Sequence, residues 1–228
     1  MSYAYIEKNL TAVRAELAAA ESAAGRVGQT VLIAAVKYAT DEELAALLTL
    51  GVSDIGENRV QQLLAHWGIA KAHGARVHFI GTLQRNKVKY IIDKVAAIHS
   101  VDSAALANEI SRRAVAAGLT VDVFAEVNIG REEAKSGAMP DEIPALCREI
   151  VSLPGLALKG LMTMAPHCDN PADYHAYFAE TRKLAADVWQ TLGLAGEPEL
   201  SMGMSESFTV AIAEGASAVR VGRRLFVK

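Results

Sequence analysis

Three groups of residues in this chain are of the right type and spacing for chemistry. The first is Lys37, which ends the apolar run VLIAAV at 31–36 and opens the stretch KYAT. A continuous apolar run of this length reads as a strand buried on both faces. A lysine at its end either marks where the strand surfaces or is kept there for its amine. The second group is GMSES, which puts Gly203 and Ser205 at the opening of a predicted helix, SESFTVAIAEG. The free N–H groups and positive dipole end of a helix start attract an anion, although Ser205 would serve equally as an ordinary cap. The third is RVGRR, where Gly222 lets the backbone approach a ligand closely or simply turns the chain, with Arg220 and Arg223 on either side. An amine and an anion cradle make a site only if the fold brings them together.

The elements that must do so alternate regularly. Apolar runs at 31–36, 53–56, 76–80, 96–101, 121–129, 156–163, 199–203 and 217–221 are separated by stretches such as DEELAALLTLG, NRVQQLLAHWGIAKAHG, SAALANEISRRAVAAG and DEIPALCREIVSL. Several of these open with Asp, Asn or Ser and close with Gly, as helices do. About eight βα units in one chain predict parallel strands with helical crossovers, closed into a (β/α)₈ TIM barrel. An open doubly wound sheet is the alternative, but no GxGxxG follows the first strand. Residues 1–25 read as an extra N-terminal helix packed on the barrel, with Ile6, Leu10, Val13 and Leu17 on one face. The expectation is a single domain spanning residues 1–228.

Closure would place strand eight beside strand one, and with it Gly222 beside Lys37. Barrel chemistry sits at strand C-termini, and phosphate binding after strands seven and eight recurs in this fold. An amine facing an anion cradle suits an aldehyde that carries a phosphate. Pyridoxal phosphate fits, with a desolvated Lys37 as its Schiff-base partner and Arg220 donating to a ring nitrogen; a phosphorylated sugar aldehyde fits as well. Arg220 would otherwise be held in a salt bridge inside the barrel.

Composition narrows the setting. The 228 residues carry a net charge of −3, with 51% hydrophobic, 21% charged and 6% aromatic residues. That suffices for a large core and offers no basic surface for nucleic acid. The apolar runs are too short to span a bilayer, and the charged N-terminus lacks a signal-peptide core. A cytoplasmic monomer is expected. Cys147 and Cys168 form no disulfide framework, and His167, Cys168 and Asp169 lack metal-ligand spacing. His78 and His99 read as core histidines. The basic cluster NKVK at 86–89 reads as a solvated face, or as a surface for a second anion or a client apoenzyme.

In chain order, AAVKYA, DIGENRVQQ, HFIGTLQRNK, HSVDS, EVNIGREEAKSG, GLMTMAP, LSMGMS and VRVGRRLF resemble the motifs of the pyridoxal phosphate homeostasis proteins. The resemblance spans nearly the whole chain and implies a barrel of the alanine-racemase type. It implies that Lys37 carries pyridoxal 5'-phosphate as a Schiff base and that Arg220 faces the pyridine nitrogen. It also implies that Ser205, Gly222 and Arg223 hold the phosphate, with Asn58 and Met164 close to the ring. Two departures stand out. Ser207 replaces an Asp common in the family, and the chain stops at Phe226-Val227-Lys228 where a Gly and a short tail are more usual.

The family implies a carrier and homeostasis role, with PLP-dependent apoenzymes as candidate recipients and no substantial turnover. A racemase is the main rival. Racemisation needs an acid and a base on opposite faces, and only Lys37 is evident; Tyr38 is expected to point away from it along the strand. An Arg beside the pyridine nitrogen, unlike an acid, supplies no full proton to make the ring a strong electron sink. A Schiff-base aldolase is a third reading, though aldolase lysines usually sit on a later strand.

Overall fold

In the computed structural model, which describes residues 3–228, eight parallel strands close in sequence order, β1-β2-β3-β4-β5-β6-β7-β8. They are β1 (Val31–Ala35), β2 (Asp54–Glu57), β3 (Arg76–Phe79), β4 (Ala97–Val101), β5 (Val121–Val127), β6 (Leu156–Thr163), β7 (Glu199–Ser201) and β8 (Ala218–Val221). Each falls on one of the apolar runs. Closure is made by β1 against β8, with Ile33 opposite Arg220 and Ala34 opposite Val221.

The helices are α1 (Ala4–Ala23), α2 (Asp41–Thr49), α3 (Val60–Ala72), α4 (Ala104–Ala116), α5 (Ile143–Ser152), α6 (Tyr174–Leu192), α7 (Phe208–Ala213) and α8 (Arg223–Phe226). α1 lies before the barrel and packs on α7, α8 and α2, burying Ile6, Leu10 and Val13, with Leu17 half-buried beside them. Tyr5 of α1 donates its hydroxyl to Glu43, which also closes a capping box with Thr40 at the start of α2. Burial, then that carboxylate, pushes the Tyr5 hydroxyl up to about 12. This capping fixes the end of the segment that carries Lys37, because Thr40 is only three residues further on.

Two helix starts differ from expectation. α7 begins at Phe208, so Ser205 lies in the turn before it and does not open the helix. α3 begins at Val60 after an uncapping Arg59, which leaves the Asn58 side chain outside the helix instead of capping it. Between β3 and β4 a 3₁₀ turn, Arg85–Tyr90, stands where the other units have an α-helix. This is the NKVK cluster: Lys87 and Lys89 lie 5.8 and 4.9 Å from the Tyr90 ring centre.

Alternate strand residues face outward to the helices or inward to the barrel. The outward set, including Ile55, Val77, Phe79, Ile98, Val123, Leu161, Val219 and Val221, joins one apolar layer with the helices. The inner space is different. It holds a small separate apolar cluster of Ala97, Phe124 and Met162 with Met164 against it, buried Ile33 opposite Arg220, and a set of buried polar side chains.

Candidate functional site

Lys37 lies two residues beyond the end of β1, in a turn rather than in the strand. Its side chain is exposed, not desolvated, and its Nζ sits 4.9 Å from the Tyr38 ring centre. Because the chain has turned, the strand rule that would send Tyr38 away from Lys37 does not apply. The turn is held from behind: Gln62 Nε2 donates to the Lys37 carbonyl at 2.8 Å.

Gly222 follows β8 and abuts β1. A Cβ there would fall 2.8 Å from the Ala35 carbonyl oxygen, so the glycine is required by strand closure itself. The turn after β7 is equally tight. Gly203 has φ +92°, and a Cβ on it would lie 2.5 Å from that of Ala211. Ser205 is half-buried in this turn. Buried Ser207 accepts the Met204 N–H at 3.2 Å, so this side chain serves the turn's own backbone. Arg223, the first residue of α8, is exposed and pairs with Glu206 at 3.1 Å; Glu206 also lies 3.6 Å from His167. The loops after β7 and β8 thus meet through one ion pair beside the Gly222 turn.

Arg220 sits below this rim, inside the barrel and 4% exposed. Nη1 donates to the carbonyl and to Oγ of Ser201, and Nη2 donates to the Thr163 carbonyl, all at 2.7 Å. Three of its five N–H groups are therefore committed to the protein. Desolvation lowers its pKa to about 10 against the pull of the Glu126 carboxylate, so it is a cation at neutral pH. Burial pushes Glu126 up, while Ser136 donates to it at 2.7 Å. Instead of a salt bridge, Arg220 has neutral oxygen partners and a nearby carboxylate.

Asn58 follows β2 half-buried, and its Oδ1 is buried without a hydrogen-bond partner. Met164 follows β6 and packs against the cluster of Ala97, Phe124 and Met162. Asn58, Met164, Arg220, Ser205, Gly222 and Arg223 all belong to the C-terminal ends of strands or the loops after them, as does Lys37.

Sequence reasoning missed what lies beneath Arg220. Ser201 reaches across the barrel to His99, His99 to His78, and His78 to Asp54, all through buried hydrogen bonds. Burial, with the Arg220 cation as a lesser cause, lowers the His99 pKa well below its usual range. Burial alone would raise Asp54, but donors from His78, Ser53 and Arg76 outweigh it and hold the carboxyl at about 2. Both histidines are core residues, as expected, but paired with each other. No group of His, Cys, Asp and Glu among the described residues has the arrangement of a metal site, and none of the described helices is long and apolar enough to cross a membrane.

The profile of the alanine racemase N-terminal domain family matches residues 9–227, which take in all eight strands of the closed barrel, the Lys37 turn and Arg220. More narrowly, the chain belongs to the pyridoxal phosphate homeostasis protein family. It is 42% identical over 195 residues to the protein of that name from Aquifex aeolicus, covering 86% of this chain and 85% of the relative. It is 41% identical to the one from Deinococcus radiodurans, covering 96% and 99%. Among solved structures, PipY of Synechococcus elongatus with PLP bound is 30% identical with a TM-score of 0.86, covering 97% of this chain and all of that one. Clostridium difficile alanine racemase shares the barrel at 16% identity and TM-score 0.75, and 98% of this chain covers 56% of that one.

Proposed function

We propose that this protein binds pyridoxal 5'-phosphate through Lys37 and holds it for homeostasis or delivery to apoenzymes, without substantial turnover. The observation that carries the reading is Arg220. It is a buried cation, three of its N–H groups are bonded to the protein, and two are left for a ligand in the barrel mouth. An Arg can only donate, so its natural partner is an unprotonated ring nitrogen.

The other residues fit the group. The orphaned Asn58 Oδ1 is a buried acceptor that suits the ring hydroxyl. Lys37 supplies the amine for the aldehyde carbon, Met164 an apolar wall, and Ser205, Arg223 and the Gly222 turn the phosphate site. Arg223 must exchange Glu206 for the phosphate, which makes retention reversible by an internal competitor. When bound, the cofactor supplies a reactive aldehyde and an electron-accepting ring; a donor that stays protonated leaves that ring a weak electron sink. The protein works as a monomer in the cytoplasm on this reading. PipY, a 30% identical relative, is described with PLP bound, which supports the ligand.

Racemisation is the second reading, favoured by Tyr38, whose ring stands beside the Lys37 amine and is 79% exposed. The test has two parts. Borohydride reduction of the PLP-loaded protein should fix a stoichiometric phosphopyridoxyl mass on the Lys37 peptide; modification of Lys87 or Lys135 in its place overturns the assignment. Incubation with L-alanine and L-serine in deuterated water should then give no accumulating D-isomer. Turnover on the usual enzyme scale of about 1–10³ s⁻¹ restores the racemase.

A further inference from the structure

The polar column beneath Arg220 has a direction. Asp54 accepts from Arg76 Nη2 and His78 Nε2 on one oxygen, both at 2.8 Å, and from Ser53 Oγ on the other at 2.7 Å, so it is an ionised acceptor. His78 must then carry its proton on Nε2, and the neutral ring presents Nδ1 as an acceptor. His99 Nε2 lies 2.9 Å from that Nδ1 and has to donate to it. This leaves His99 Nδ1 as an acceptor, filled by the Ser201 hydroxyl at 2.8 Å. Ser201 Oγ in turn receives Arg220 Nη1 at 2.7 Å. Every donor from Arg220 down points toward Asp54, because one end can only donate and the other can only accept. Reversing the links would put a second proton, and so a cation, on buried His78 at the Asp54 end of the chain, which the dry interior disfavours. Phe124 stacks on His99 with ring centres 4.2 Å apart and blocks rotation of that ring.

We propose that Ser201, His99, His78 and Asp54 are positioning residues for Arg220, forming a one-way relay that carries the pull of a carboxylate at the N-terminal end of β2 to the guanidinium under the barrel mouth. Aligned donors polarise one another, so the relay strengthens Ser201 as an acceptor and fixes the plane of Arg220. The two remaining N–H groups are thereby aimed, and the donor strength offered to a ring nitrogen is set from the far end of the barrel. This rests on the pyridoxal phosphate reading for its consequence and stands apart from it in its geometry.

The experiment begins with ¹⁵N-labelled protein free of PLP. Both His78 and His99 should be neutral Nε2–H tautomers near pH 7, with a ¹⁵N–¹⁵N coupling through the hydrogen bond between His99 Nε2 and His78 Nδ1. An Nδ1–H tautomer or an imidazolium on either residue overturns the relay. In PLP-loaded protein, Asp54→Asn should shift the absorbance maximum and weaken retention several-fold. Ser201→Ala should do the same, and Ser201→Thr, which keeps the hydroxyl, should restore the parent spectrum. An unchanged maximum in a folded Asp54→Asn or Ser201→Ala protein overturns the proposal; should one variant fail to fold, the other decides. If the parent takes up no PLP, the cofactor reading fails while the nitrogen spectra still decide the relay.

Discussion

The two sides of the barrel wall are built on opposite rules. Outside, between strands and helices, side chains such as Phe79, Leu161 and Val219 are apolar and buried. Inside, the same strands turn Asp54, His78, His99, Glu126, Ser201 and Arg220 toward one another and bury them too. The outer layer gains free energy from area removed from water, roughly 25 cal/mol per Å² of apolar surface. The inner column gains little net stability, because each polar group must first lose its water. Its return is fixed geometry at the mouth. The contrast teaches that stability and ligand chemistry are separable in this molecule across the thickness of one sheet.

Substitutions can break that separation or sharpen it. The largest expected effect is at the rim. Lys37→Ala should abolish reductive trapping of the cofactor entirely, measured by intact mass, while the melting temperature of the unloaded protein holds, since the side chain is exposed. Phe79→Ala on the outer face should cost about 3–5 kcal/mol in denaturant unfolding and leave the spectrum of loaded protein unchanged. A spectral change there would show that the two layers are coupled.

The third test uses acid. Asp54 has its carboxyl held at about 2 against an ordinary 3.8, so its ionised form stabilises the fold above pH 4. That contribution, about 2 kcal/mol, should be lost as the pH falls from about 4 toward 2. Asp54→Asn should flatten this acid limb in a pH series of unfolding curves; an unaltered limb would mean that the inner column carries no stability of its own. The smallest effect is expected for Tyr38→Phe, which keeps the ring beside Lys37 and should change retention by less than about twofold. If it instead removed an amino-acid turnover present in the parent, the racemase reading would return.

Much of this was legible in the sequence because parallel strands buried on both faces are continuous apolar runs. The eight strands overlap the runs marked in the sequence, with β2 extending one residue further to Glu57. Lys37 and Gly222 stand just past run ends, whereas Asn58 and Met164 came from the family resemblance. The errors arose where local and tertiary signals diverge. SESFTVAIAEG has the composition of a helix from its first Ser, but Ser207 bonds back to the Met204 N–H and delays α7 to Phe208. Lys37 reads as part of its strand, yet β1 ends at Ala35 and the chain turns, which reverses the expectation for Tyr38. Gly222 reads either as a ligand approach or as a turn, and the structure adds a packing reason for it, since the carbonyl of Ala35 occupies the space a side chain would need. The relay was invisible because its members come from β2, β3, β4, β7 and β8. One histidine per strand carries no local pattern, and only closure brings His99 to Ser201.

Closure also sets when the protein becomes competent. Val31 pairs with Ala218 and Ala34 with Val221, so the seam joins strands from opposite ends of the chain. Such distant pairings form slowly, because the loop entropy is lost before the contacts are gained. Lys37 precedes Gly222 by 185 residues, so it is synthesised well before the turn that comes to lie beside β1. A nascent chain therefore holds Lys37 without its neighbours from β8, and on the proposed reading an aldehyde would meet both only once the seam has zipped shut.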